Sequence, residues 1–193
     1  IHYSFQLLAA NTAALLDHLG VERAAVLGHS TGGMTAVRFT LMNPDRVTHL
    51  VLEDPLGLAD YRTGIQPQSE ETLYQHELRW TDPATIRGYV AGYFMNPDPT
   101  IWEPLADVLV RVTLGPDYPR WARAAALTFQ MIYQQPVRHE YQQITPPTLL
   151  VVGADDHVVP LGQYAKPAEA ARLGDFMGLS AAAAKDIPRA TRV

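Results

Sequence analysis

The chain has 193 residues and a formal charge of −5, with 47% hydrophobic and 18% charged residues. This composition is typical of a globular domain long enough to bury a core, and it excludes a disordered tail, a collagen-like fibre and a coiled coil. The mildly acidic balance argues against a nucleic-acid partner, which would need a basic face. The lack of cysteine excludes a disulfide scaffold, a thiolate metal site and a cysteine nucleophile.

Both ends of the sequence are typical of a cut chain, and we expect a fragment of a longer protein. The sequence opens at Ile1 directly before a helical pattern, and it stops at 190–193, where a strand begins. It has no signal-peptide pattern and no run of 18 apolar residues. We therefore expect a cytoplasmic protein that has no membrane partner.

The first 57 residues alternate between helical and strand patterns. The apolar spacing predicts, in order, a helix capped by Ser4, a strand, a second helix and a second strand, at 4–19, 24–28, 31–43 and 47–52. The strands are short apolar runs typical of strands buried on both faces. This pattern favours an α/β fold with a doubly wound, mostly parallel sheet.

The next 86 residues, 58–143, break this rhythm. They contain no comparable strand but hold 12 of the 17 aromatic residues, including Trp80, Trp102 and Trp121. We expect a helical cap that forms a lid over a pocket. The alternative is a helical appendage whose aromatic side chains pack only its own small core.

The α/β pattern returns in the last part of the chain. A third buried strand is predicted at 147–153 and a helix at about 168–186. The expected organisation is therefore a first part of the core at 1–57, the cap at 58–143 and a second part of the core at 144–193.

A glycine-rich turn follows the first strand, with the sequence Gly28-His29-Ser30-Thr31-Gly32. A Gly-x-Ser-x-Gly turn between a strand and a helix is the pattern of a nucleophile elbow, in which a strained backbone projects the serine hydroxyl away from the sheet. We expect Ser30 to be the nucleophile and the Thr31 amide to bind an oxyanion. A Cβ at Gly28 or Gly32 is expected to collide with the neighbouring strand and helix.

A serine nucleophile needs a base, and the base needs a carboxylate that orients it. Asp155 and Asp156 follow the third strand, at the sheet edge that also carries Ser30. We expect one of the two, Asp155, to cap its own loop instead.

With these motifs, the sequence resembles the α/β-hydrolase superfamily, in its ester-hydrolase branch with a helical cap. The matching segments are 26–34 with 43–47, then 50–58 and 147–156. The resemblance implies the second half of an α/β-hydrolase core, with Asp156 as the triad acid. In some relatives the acid follows the preceding strand, where Glu53 or Asp54 stands.

The sequence departs from the family in two places. No His-Gly segment precedes Ser30, and no histidine follows His157. We expect the base to lie beyond Val193, with His157, His139 and His29 as weaker alternatives. His29 is instead expected to line the substrate pocket.

The resemblance implies a serine hydrolase that forms an acyl-enzyme, with carboxylic esters as the default substrate. The aromatic residues of the expected cap favour an apolar acyl or aryl group. Because the base is expected beyond Val193, we expect this fragment to be inactive or weakly active. The alternative is a non-catalytic binder of a small hydrophobic ligand. The seven histidines lack metal-ligand spacing, so we predict neither a metal nor a cofactor.

Overall fold

The computed structural model describes residues 3–95 and 98–193. Its strands are β1 (Ala24–His29), β2 (Val47–Glu53), β3 (Thr148–Val151) and β4 (Ala190–Arg192). Its α-helices are α1 (Phe5–His18), α2 (Thr31–Met42), α3 (Glu70–Glu77), α4 (Pro83–Ala91), α5 (Pro99–Leu114), α6 (Tyr118–Gln134), α7 (Pro167–Leu173) and α8 (Phe176–Asp186). None of the helices in the described ranges is long and apolar enough to cross a membrane.

The described strands form one sheet in the order β1-β2-β3-β4, and every neighbouring pair is parallel. This arrangement confirms the predicted α/β fold with a parallel sheet. Parallel strands run in one direction, so the residues that follow β1, β2 and β3 all lie at the same edge of the sheet. That edge carries Ser30, Asp54 and the loop that contains Asp156.

The expectation that β1 is buried on both faces is wrong for the described structure. Leu27, in the middle of β1, is 62% exposed, whereas Leu50 and Leu52 of β2 are fully buried. The difference arises because β1 pairs only with β2 among the described strands and so lies at the edge of the sheet.

Capping residues account for the ends of several helices. The Ser4 side chain accepts a hydrogen bond from the Leu7 amide at 3.0 Å, which confirms the predicted N-cap. The single helix predicted near 168–186 is instead two helices, α7 and α8. Asp175 separates them, because its side chain accepts the Gly178 amide at 2.9 Å and caps α8.

The chain divides into two compact units. Unit 1 comprises residues 1–67 and 131–193, and unit 2 comprises residues 68–130. In unit 1, the sheet packs with α2, and the core contains fully buried apolar side chains from the helices and strands: Phe5, Met34, Phe39, Leu50, Leu52 and Leu150.

Unit 2 contains α3, α4, α5 and most of α6, and no strand is assigned within its described residues. Ile86 and Ala106 are fully buried where α4 packs against α5. Its aromatic rings also contact one another: the Trp80 and Tyr89 ring centroids lie 4.7 Å apart, edge to face. The role of 58–143 as a cap over a pocket remains a proposal.

A close approach between β1 and α2 fixes the turn that joins them. A Cβ added at Gly28 would lie 2.4 Å from the Gly32 carbonyl oxygen and 2.8 Å from Ala36 Cβ, so only glycine fits there. The expectation that Gly32 is similarly confined is wrong, because a Cβ at Gly32 meets nothing within 4 Å. Gly33 is the second confined position, since its Cβ would lie 2.6 Å from Pro55 Cβ.

These contacts predict opposite effects of alanine at two glycines four residues apart. Gly28→Ala should destabilise the protein by about 1–3 kcal/mol, because the added methyl group overpacks the β1–α2 contact. Gly32→Ala, the matched control, should be neutral or stabilise the protein by up to about 1 kcal/mol, because alanine favours the helix. Urea denaturation measures both values, and equal destabilisation by the two variants would contradict the packing described here.

Candidate active site

Ser30 occupies a strained turn between β1 and α2. Its backbone angles are φ 52° and ψ −124°, which a residue with a Cβ rarely adopts. Its side chain does not cap α2, a helix described in full. Such strain is typical of a functional residue that its surroundings hold in place.

The strand and loop next to the turn hold the Ser30 backbone on both sides. The Ser30 amide donates to the Glu53 carbonyl oxygen at 3.2 Å, and the Ser30 carbonyl oxygen accepts the Leu56 amide at 3.0 Å and the Gly33 amide at 2.9 Å. Pro55 packs against Gly33 from the same loop. The end of β2 and the residues after it therefore fix the elbow.

Thr31 is the first residue of α2, so helix geometry gives its amide no acceptor within the helix. The first amides of a helix carry partial positive charge and attract anions. The structure thus places the predicted oxyanion donor, the Thr31 amide, immediately after Ser30.

Two aspartates lie beside Gly153, the second residue after β3. Asp54 Oδ1 accepts the Gly153 amide at 2.7 Å, and the Asp156 amide donates to the Gly153 carbonyl oxygen at 3.2 Å. A Cβ at Gly153 would lie 3.6 Å from Asp54 Oδ1 and 3.8 Å from Asp156 Cβ. The ends of β2 and β3 therefore bring both candidate acids to one place.

The loop contact expected of Asp155 belongs to Asp156. Asp156 Oδ1 accepts the Val158 amide at 2.9 Å, closing a turn within its own loop, while the Asp155 residue is exposed. Asp156 is the half-buried residue of the pair, whereas the Asp155 side chain is exposed to solvent. The contact fixes one carboxylate oxygen and the orientation of the group.

The strand order separates the ends of the strands that precede Ser30 and Asp156. Ser30 follows β1 and Asp156 follows β3, with β2 between them. Neighbouring strands are about 4.8 Å apart, so the two strand ends are separated by about 10 Å.

His29 and Glu53 end the paired strands β1 and β2 and are opposite one another in the register. His29 Nδ1 lies 3.5 Å from Glu53 Oε2, with the two side chains 63% and 48% exposed. Glu53 therefore faces a histidine, but at a solvent-exposed position. The expected role of His29 in lining a pocket stays a prediction.

The other candidate bases are engaged away from Ser30. His139 Nε2 lies 2.8 Å from Asp60 Oδ2. The pKa of the Asp60 carboxyl is well below its usual range, mainly because the Arg62 guanidinium donates a hydrogen bond to it. His157 Nδ1 lies 3.0 Å from the Gly174 carbonyl oxygen. His2 lies outside the described residues. No described contact brings these rings to the nucleophile.

The structure also shows a clamp that the sequence analysis missed. Asp54 has φ 37°, and its amide donates to the Val151 carbonyl oxygen at 2.8 Å while its carboxylate holds Gly153. It thereby joins the ends of β2 and β3. In the sequence, the Asp54-Pro55 pair directly after an apolar strand could have indicated this turn, because Asp-Pro pairs are typical of sharp turns. Within the described residues, no group of three or more acidic or histidine side chains could hold a metal ion.

Solved structures and curated proteins resemble this chain over most of its length. A crystal structure of a probable hydrolytic enzyme from Pseudomonas aeruginosa matches all of the chain with a TM-score of 0.91 and 38% identity. A 2-hydroxy-6-oxo-2,4-heptadienoate hydrolase from Pseudomonas putida is 27% identical over 83% of the chain, and a 3-oxoadipate enol-lactonase from Acinetobacter baylyi is 25% identical over 84%.

The chain spans only part of each of these relatives. It covers 62% of the Pseudomonas aeruginosa chain, 56% of the heptadienoate hydrolase and 58% of the enol-lactonase. The family model of the alpha/beta hydrolase fold matches residues 2–177, which is most of the sequence. With its elbow, parallel sheet and acidic loops in the order of that fold, the chain belongs to the alpha/beta hydrolase family.

Proposed function

We propose that the protein is a serine hydrolase that cleaves carboxylic esters, or related acyl compounds, through an acyl-enzyme. The observation that carries this proposal is the Ser30 turn, whose positive φ is held by main-chain hydrogen bonds on both sides. A serine that only filled a loop would not need this strain, because a glycine would adopt the same angles at lower cost.

The reaction proceeds in two steps at Ser30. The serine oxygen attacks the ester carbonyl carbon while a histidine base removes its proton, and the resulting oxyanion lies against the Thr31 amide. The carbon–oxygen bond to the alcohol then breaks, and the histidine returns the proton to the leaving oxygen. Water attacks the acyl-enzyme by the same route and releases the carboxylic acid, restoring the serine hydroxyl.

Asp156 is the acid that we propose for orienting the histidine. Its own loop already fixes one oxygen of the carboxylate, so the group is oriented before a histidine binds to it. Asp54 is the alternative. Its Oδ1 also accepts a backbone amide, so that contact does not distinguish the two residues. Asp54 differs because its own amide donates to Val151 and joins the ends of β2 and β3, whereas Asp156 stands where the resemblance places the acid. We therefore assign Asp54 to the clamp and Asp156 to the triad.

The proposed substrate has a small or medium acyl or aryl group. The relatives named above include hydrolases of oxo-dienoates and an enol-lactone, which are small carbonyl compounds. We further propose that these 193 residues alone are weakly active or inactive, because none of the described contacts of His29, His139 and His157 reaches Ser30.

Replacing the nucleophile tests the proposal directly. In the full-length protein, Ser30→Ala should lower kcat for p-nitrophenyl butyrate by roughly 10⁴-fold or more, because no acyl-enzyme can form. The matched control is Ser69→Ala, which removes an exposed serine that caps α3 and should leave turnover unchanged. Steady-state turnover measures both variants, and unchanged activity in Ser30→Ala would contradict the serine mechanism.

Replacing the carboxylates separates the acid from the clamp. Asp156→Asn should lower kcat by up to roughly 10⁴-fold, because a neutral amide no longer stabilises the protonated histidine. Asp155→Asn, at the exposed neighbouring position, should change kcat less than about twofold.

The alternative acid, Asp54, is replaced in the same experiment. Asp54→Asn should chiefly lower the free energy of unfolding, by about 1–3 kcal/mol, because it weakens a charged hydrogen bond to a backbone amide. Urea denaturation and kinetics on the same samples give both quantities. If Asp54→Asn keeps its stability but loses as much activity as is expected for Asp156→Asn, Asp54 is the triad acid instead.

A further inference from the structure

The segment after β2 is a buried loop. Leu56, Leu58 and Ala59 are at most 6% exposed, although the segment forms neither helix nor strand. Loops usually lie at the surface because a buried backbone needs partners for its amides and carbonyl oxygens. Something else in the protein must therefore supply hydrogen bonds to this loop.

Two buried tyrosines supply them at Gly57. The Tyr141 hydroxyl donates to the Gly57 carbonyl oxygen at 2.8 Å, and the Tyr61 hydroxyl accepts the Gly57 amide at 3.1 Å. Tyr141 is fully buried and Tyr61 is 3% exposed. Tyr141 lies 84 residues from Gly57 in sequence, in a 3₁₀ turn (Arg138–Gln143) shortly before β3.

Packing also confines Gly57. Its φ is +87°, in the left-handed region, and an added Cβ would lie 2.8 Å from both Met34 Cγ and Val137 Cγ2. Met34 belongs to α2, the helix that starts after Ser30. The loop is therefore held against the nucleophile helix by packing on one side and by the tyrosine hydroxyls at its backbone.

The residue next to Gly57 contacts the nucleophile. The Leu56 amide donates to the Ser30 carbonyl oxygen at 3.0 Å. The path from Tyr141 to the Ser30 backbone thus has two hydrogen bonds, with the Leu56–Gly57 segment between them. A shift of this loop would remove an anchor from the strained Ser30 turn.

Both hydroxyls are protonated at neutral pH. Burial raises the pKa of Tyr61 to about 12 and raises the pKa of Tyr141 further. Tyr141 therefore remains a hydrogen-bond donor, as the Gly57 carbonyl oxygen requires.

We propose that Tyr141 and Tyr61 are positioning residues that hold the Leu56–Gly57 loop and, through it, the Ser30 nucleophile. The inference rests on the proposed role of Ser30 and adds two residues that act through the loop. Removing the Tyr141 hydroxyl leaves the Gly57 carbonyl oxygen buried without its donor, so the loop relaxes and Ser30 loses its fixed position.

The test compares two tyrosine variants in the full-length protein. Tyr141→Phe should lower kcat for p-nitrophenyl butyrate about tenfold and change KM less than about twofold, because positioning affects the reacting atom more than binding. The matched control is Tyr133→Phe. It removes a hydroxyl in the same unit whose described hydrogen bond goes to the Ile65 carbonyl oxygen, at 3.2 Å, and not to the Leu56–Gly57 loop. This control should leave kcat unchanged.

Amide hydrogen exchange provides a readout that does not depend on activity. Tyr141→Phe should speed exchange at the Leu56 amide about tenfold relative to the Leu50 amide, which donates to the Pro147 carbonyl oxygen within the sheet. A general loss of stability would speed exchange at both amides, so the ratio of the Leu56 rate to the Leu50 rate isolates the effect on the loop. If Tyr141→Phe does not fold, Tyr61→Phe tests the same loop through the Gly57 amide.

The outcomes separate this inference from the proposed function. If Ser30→Ala abolishes turnover but Tyr141→Phe behaves like Tyr133→Phe, the positioning role is wrong and the serine mechanism stands. Faster Leu56 exchange with unchanged kcat, or lower kcat with unchanged exchange, also overturns the positioning role. If Ser30→Ala keeps its activity, the proposed function fails, and the exchange ratio alone decides whether the tyrosines hold the loop.

Discussion

The strained backbone of Ser30 is the constraint on which the rest of the core depends. A serine with φ 52° needs neighbours that hold it there, and the protein supplies them from the adjacent strand and the loop after it. Gly28 and Gly33 let α2 and Pro55 approach closely enough to make this possible. The elbow is therefore a property of several segments, although its motif is only five residues long.

The parallel sheet brings the chemistry to one edge. Strand ends that are far apart in sequence, at 30, 54 and near 156, follow three neighbouring strands. Asp54 joins two of these ends, so the loop with Asp156 is fixed to the strand that also anchors Ser30. A change at Asp54 would therefore disturb both candidate catalytic groups, which is why stability and activity must be measured together.

Local patterns predicted much of this fold because they report local physics. The Ser4 cap, the strand predicted at 24–28 and the glycine at 28 each follow from residues within a few positions. Contacts between distant segments were not predictable in this way. Nothing near Gly57 indicates that Tyr141, 84 residues away, would satisfy its carbonyl oxygen. The exposure of Leu27 likewise depends on the position of β1 in the sheet and not on its apolar sequence.

The central claim is that Ser30 is the residue that attacks the substrate. Labelling the full-length protein with a fluorophosphonate, followed by digestion and mass spectrometry of the peptides, measures which residue becomes covalently modified. We expect a single adduct on the peptide that contains Ser30, because only a serine activated by a base reacts readily with this reagent. An adduct on another residue, or no adduct on an enzyme that still hydrolyses esters, would contradict it.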